Sequence, residues 1–272
     1  MRLRKTLGAV LGAVLLMLSG GWFLLGFTCV DFGEAPSGFD AEERLDALLE
    51  DALRDGGVDY AAVRAFGRGA GVDELAAFYA QPGPTERDAR LAYSINAYNS
   101  TVLALVARRH PQRSIHEVRG LIEPEPGFGF FYAQRFDFDG SGTNLYDLEN
   151  DVIRSFGDAR IHAAINCASA SCPSLYERAF RPELLDDQLN EVTRRFVSDP
   201  RHVRYDADAG VLHLTAIFDW FSADFEAHRL PNGEEGLHAF LRAFCENPSC
   251  EAPNDVEIRF NDYDWSLNAA RD

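Results

Sequence analysis

The stretch LAYSINAYNSTVLALVA, residues 91 to 107, constrains the fold most. Thr85 supplies a capping side chain ahead of it, and Pro111 stops it just after His110. Between them the spacing predicts one long helix. Its second half is apolar nearly all round, so it must be covered on every side. A helix of this kind is the centre of a domain, with the remaining elements packed around it. Asn96 and Asn99 lie inside the buried stretch. A buried amide costs free energy unless it is hydrogen-bonded, so both are expected to brace a neighbouring loop or site.

The rest of the chain supplies the covering elements. Asp40 with Glu43 forms a capping box that opens a helix carrying Leu45, Leu48, Leu49 and Leu53 on one face. Asp73 caps a short helix running to Tyr79, and Pro182 to Val197 is amphipathic. Residues 145–156, 216–225 and 233–245 also read as helical. Phe128 to Phe138 reads as an aromatic-rich strand, Arg160 to Asn166 as a short apolar strand, and VEIRFNDYDW as a last strand. HVRYDADAGVLHLT reads as a hairpin with strands around Val203 and Leu212. No βαβ regularity links these elements, so the expected class is α+β, with helices packed on a mostly antiparallel sheet.

The N-terminus predicts the compartment. Arg2, Arg4 and Lys5 precede Thr6 to Thr28, a run without a charged residue and long enough for a bilayer-spanning helix. This predicts a single-pass inner-membrane anchor, residues 6–28, with the globular part facing the periplasm. A secretory signal removed on export has the same layout. Cys29 follows bulky Phe27, a poor site for lipidation. The expected organisation is an anchor or signal over 1–29, a linker over 30–39 and a single globular domain over 40–272. The chain carries 43 acidic against 26 basic residues, a net charge of −17. Nucleic acid and anionic surfaces are poor partners for such a chain. No other partner is indicated, and no cofactor is expected.

RIHAAINCASASCPSL, residues 160 to 175, holds the candidate chemistry. The chain has 5 Cys and 7 His, and His162, Cys167 and Cys172 fall within eleven positions. A cysteine in a tight small-residue loop becomes a nucleophile if a neighbouring base or cation lowers its pKa. Glu149, Asp158 and Asp224 are acids able to orient the histidine, and the residues do not choose among them. Arg160 is an accessory candidate, and Asn99 a polar support. Three other readings stay open here. Cys167 and Cys172 form a disulfide in an oxidising compartment, or bind zinc with His162, or all three residues are packing. Thiol exchange through Cys167 and Cys172 lacks the short Cys-x-x-Cys loop of oxidoreductases. Cys245 and Cys250 bracket a short loop and read as a structural disulfide. DFDGSGTNLYDLE resembles a calcium loop at Asp137, Asp139, Ser141 and Gly142. Its twelfth position is Leu148, so a hairpin turn explains it better, and no metal site is expected.

INAYNSTVLALV, NLYDLENDVIR, DARIHAAINCASASCPSL, LTAIFDWFSADF and YDWSLN together resemble a family known as domain of unknown function 547, in its order, across residues 88 to 268. Tyr93 stands where the family has an aromatic residue before its Asn-x-Tyr-Asn helix. The resemblance implies an exported or envelope-associated α+β domain, distantly similar to papain-like and transglutaminase-like cysteine enzymes. The family's His-x4-Cys falls on His162 and Cys167, and its Ser-Cys-Pro on Ser171, Cys172 and Pro173. This implies Cys167 as the functional thiol and Cys172 as an accessory. In papain-like folds the cysteine opens the long helix and the histidine follows. Here the helix opens with Ser94, Asn96 and Asn99, and the cysteine comes after the histidine. The expected function is a cysteine hydrolase or acyltransferase using Cys167 and His162. The alternative is a non-catalytic binding module with oxidised cysteines.

Overall fold

The computed structural model describes residues 27–120, 123–247, 250 and 252–270. Strand β1 (Thr28–Cys29) leads to helix α1 (Ala41–Ala52), whose N-cap Asp40 accepts from the Glu43 amide. A two-stranded ribbon, β2 (Leu53–Arg54) and β3 (Gly57–Val58), turns the chain into α2 (Tyr60–Ala65) and α3 (Gly71–Tyr79). Helix α4 (Arg87–Arg109) is the expected central helix. It is buried from Ser94 through Val106, and His110 ends it in the left-handed conformation just before Pro111. Its N-cap is Glu86, one residue beyond the expected Thr85.

Strands β4 (Gln134–Phe138) and β5 (Ser141–Thr143) form a hairpin, and β1 joins β4 in parallel. Asp139 at the hairpin turn accepts from Arg90 and from the Gly83 amide. That carboxylate therefore anchors the turn to the start of α4, as the hairpin reading requires. Helix α5 (Leu185–Ser198) precedes the second hairpin, β6 (Val203–Asp206) and β7 (Val211–Thr215), and α6 (Leu237–Phe244) follows. Strand β8 (Glu257–Asn261) adds to β7 in parallel.

The molecule is thus a mixed α+β fold, but not helices on one mostly antiparallel sheet. Among the described residues it has two three-stranded sheets and one two-stranded ribbon, and each three-stranded sheet contains a parallel pair. The short strands near the two ends of the described chain, β1 and β8, make those parallel pairs. Strand direction depends on which distant segment arrives, and alternation along one strand carries no trace of it.

The expected membrane span is also corrected. Most of the run from Thr6 to Thr28 lies outside the described residues. Its last residue, Thr28, stands in β1 with its amide on the Ala133 carbonyl, and Phe27 packs edge-on against Phe128. Among the described residues no helix is long and apolar enough to cross a membrane. The transmembrane helix and the single-pass inner-membrane placement are therefore withdrawn. The segment after the apolar run, read as a linker, lies on the domain: Arg108 donates to the Asp31 carbonyl, and Phe39 packs on Phe78.

Residues 161–164 form a helical turn, not the expected strand. All four are buried, so the run shows neither a two-residue nor a 3.6-residue period from which to tell the two apart. Similarly, Phe128–Phe131 is helical, and only residues from Gln134 on are strand.

Candidate active site

The two buried asparagines of α4 act as expected. Asn96 donates to the Phe180 carbonyl and accepts from the Phe180 amide, both at 2.8 Å. Asn99 donates to the Ala164 carbonyl and accepts from the Asn166 amide, both at 2.9 Å. Asn99 thereby clamps the chain on both sides of Ile165, between His162 and Cys167. It supports the site from behind and does not line it.

Beside α4 runs the segment Leu145–Phe156. Asn144 caps it by accepting from the Asp147 amide. It starts as an α-turn, widens to a π-turn over Leu148–Ile153, and tightens to a 3₁₀ turn that Gly157 ends at φ 68°. A π-turn brings residues five apart onto one face, and such turns often mark functional sites. Here it sets Glu149 and Arg154 on the wall of a cavity of about 500 Å³. His162, Cys167 and Cys172 line the same cavity.

Arg154 holds Asp224 with a two-pronged contact at 2.7 and 2.9 Å. Asp224 Oδ2 lies 2.8 Å from His162 Nε2, and the imidazole stacks on Phe221 with centroids 4.0 Å apart. Burial works against the Asp224 carboxylate, but His162 and Arg154 outweigh it and hold the carboxyl far below its usual range. Burial also lowers the His162 pKa, further than Asp224 raises it, and Arg154 adds to the lowering. A neutral imidazole beside an ionised carboxylate keeps its proton on Nε2. The lone pair then stands on Nδ1, the arrangement of a general base oriented by an acid.

Glu149 is not the orienting acid. Its Oε2 accepts from the Tyr98 hydroxyl at 3.2 Å. Burial raises its carboxyl to about 7, against the lowering influence of Tyr98 and Arg154. Two groups in one cavity are thus shifted in opposite directions, the histidine toward its base form and the glutamate toward its acid form.

Cys167 and Cys172 are joined as a disulfide. Ala168, in the left-handed conformation at φ 65°, reverses the chain between them, and its amide donates to Asn166 Oδ1. The C-terminal segment straps this loop down: the Ala170 amide donates to the Ser266 carbonyl, and the Asp264 amide to Ser171 Oγ. Tyr263 thereby reaches the bridge, its hydroxyl 3.2 Å from Cys172 Sγ and 2.9 Å from Ser169 Oγ. In this bridged form neither cysteine offers a thiolate to a metal.

Arg160 and Asp158 belong elsewhere. Arg160 pairs with Asp158, Asp186 and Asn190, tying the turn before His162 to α5, and Asp158 also faces His228 at 3.8 Å. Neither lines the cavity. Cys245 and Cys250 are likewise joined as a disulfide, at the end of α6. Arg154, Tyr98, Trp220, Tyr263 and Trp265 line the cavity without having been singled out. All five sit within the motif stretches quoted above, so the signal was present. Their convergence was not, because it depends on segments more than a hundred residues apart.

Neither a curated protein nor a solved structure matches the chain. A family model described as "Protein of unknown function, DUF547" matches residues 83–197. That segment contains α4, Glu149, Arg154, His162 and both cavity cysteines, whereas Asp224, Trp220 and Tyr263 come from beyond it. Over residues 83–197, which supply most of the polar wall of the cavity, the chain matches the model of this family of unknown function.

Proposed function

We propose that the cavity is the working site of a cysteine hydrolase or acyltransferase, with the Cys167–Cys172 disulfide as its closed form. What carries this reading is the His162–Asp224 pair, opening onto the same cavity as Cys167. A dithiol reductant opens the bridge: two electrons and two protons pass to the cysteines, and the reductant leaves as its own disulfide. His162 Nδ1 then takes the Cys167 proton, and the thiolate adds to an acyl carbonyl. The imidazolium returns that proton to the leaving group as the tetrahedral intermediate collapses to a thioester. Water, or an acceptor hydroxyl, attacks the thioester with His162 again as base, and the thiol is restored. Arg154 keeps Asp224 ionised throughout, so the imidazole stays in one tautomer.

One observation favours a second reading. The cysteines are bonded to each other, and a disulfide is no nucleophile. On that reading the cavity binds a ligand and performs no chemistry on it.

Thiol alkylation at mildly acidic pH, mapped by peptide mass, separates the two. The hydrolase reading expects no Cys167 adduct before dithiothreitol. After it, Cys167 labels faster than Cys172 and slows about tenfold or more in His162→Ala, as for a thiolate that depends on its base. If reduced Cys167 reacts no faster than Cys172, and is indifferent to His162, the hydrolase reading fails and the binding reading stands.

A further inference from the structure

Two aromatic stacks line the cavity, each ending in a ring left open to solvent. Trp220 is 48 % exposed and lies on Trp265, with centroids 5.7 Å and planes 20° apart. Tyr146 is 42 % exposed and lies on Tyr132 at 4.3 Å and 22°. Leu184 and Phe260 are the other large hydrophobic side chains left this exposed among the described residues, and neither lines the cavity. Exposed aromatic faces held rigid by a stacked partner are binding surfaces, since little side-chain entropy is lost when a ligand covers them. The charged, amide and imidazole groups on the same walls are Glu125, Glu149, Asn150, Arg154 and His162, beside the tyrosine hydroxyls. The volume falls within the range of small-molecule sites, roughly 300–1,000 Å³.

We propose that this cavity binds a saccharide, its ring faces laid on Trp220 and Tyr146 and its hydroxyls taken by Glu149, Asn150 and Arg154. A pyranose presents a C–H face to an aromatic ring and a hydroxyl edge that both donates and accepts. Carboxyl, amide and guanidinium together answer that edge. Competing ligands fit less well. A lipid tail desolvates those polar groups and offers nothing to the lone pairs and N–H groups left over from their bonds to Tyr98, Asp224 and one another. A phosphate-bearing ligand meets Glu125, Glu149 and a chain of net charge −17. Combined with the acyl-transfer reading, on which this last step rests, the substrate is an acylated saccharide.

The test uses the protein's own fluorescence, because two of its three tryptophans, Trp220 and Trp265, line the cavity. The full chain is titrated with an N-acetylated trisaccharide, chitotriose, and an unacylated one, cellotriose. Saturable emission changes are expected with chitotriose at up to about 10 mM. Affinity is expected to fall about tenfold in Trp220→Ala and in Tyr146→Ala, each variant first shown by a cooperative thermal melt to be folded. Silence with both sugars, or binding indifferent to both aromatic substitutions, overturns the proposal. Preferential binding of a tryptophan-containing dipeptide also overturns it. Saccharide binding by the wild-type protein, with alkylation showing no activated thiol at Cys167, leaves the saccharide site standing and removes the acyl transfer.

Discussion

Replacing Asn99 tests how the site is held. Among the described residues the Asn99 amide is the only side chain bonded to both the Ala164 carbonyl and the Asn166 amide, and it is 5 % exposed. Asn99→Leu keeps the volume and deletes both bonds. Two backbone groups are then left buried without a partner, at about 1–3 kcal/mol each. Better burial of leucine returns part of this, so the net loss is about 3 kcal/mol. For a domain of this size each kcal/mol moves the melting point by about 2–4 °C, so the expected drop is about 10 °C. The measurement is a thermal melt followed by circular dichroism, with urea unfolding for the free energy. The freed Ile165–Cys167 segment should also relax, making the Cys167–Cys172 bridge easier for dithiothreitol to reduce. A melting point within about 2 °C of wild type, with unchanged reducibility, would refute the reasoning, since the loop would then be held by something other than the amide clamp.

Glu149 stabilises most when protonated. Its carboxyl is raised from 4.5 to about 7 in the fold, so its contribution is complete below pH 4.5 and lost as pH rises through 7. Glu149→Gln should therefore gain about 2 kcal/mol over wild type above pH 7 and little at pH 4.5, by urea midpoints at each pH. His202 works in the opposite sense. Neither of its buried ring nitrogens has a hydrogen-bond partner among the described residues, and burial lowers its pKa from 6.5 to about 4 despite Asp199. Its contribution is present above pH 6.5 and lost as pH falls through 4. Relative to His202→Phe, wild type should lose about 3 kcal/mol over that window, and parallel curves would remove His202 as the cause. Arg160→Ala should cost about 3 kcal/mol because it strands the Asp158 carboxylate, only 10 % exposed, whereas Asp186→Ala, 77 % exposed, should cost under about 1 kcal/mol. Equal losses in the two variants would contradict that assignment.

Local chemistry was legible wherever the cause lay within a few residues. The Asp40 cap, the end of α4 at His110 and Pro111, and the β6–β7 hairpin all follow from short-range sterics and hydrogen bonding. The amphipathic face of α5 was equally readable, since it repeats along a single element. Where burial was complete, the pattern vanished. The turn at 161–164 read as strand because residues buried on every side carry no polar face to set a period. The apolar run before Cys29 suggested lipid, yet its described end, Phe27 and Thr28, packs on protein.

The candidate site divides along the same line. Alone, the sequence determined which residues have the chemistry: a histidine and two cysteines in a small-residue loop, acids able to orient the histidine, and amides too deep in a helix to remain unpaired. Only the tertiary structure decided their partners. It set Asp224 on His162 across 62 positions, gave Glu149 to Tyr98, removed Arg160 and Asp158 to a separate ion pair, and closed Cys167 onto Cys172. The physical reason is range. Caps and turns are satisfied by neighbours in the chain, whereas a buried charge or amide takes whichever complement the packing of distant segments brings within about 3 Å.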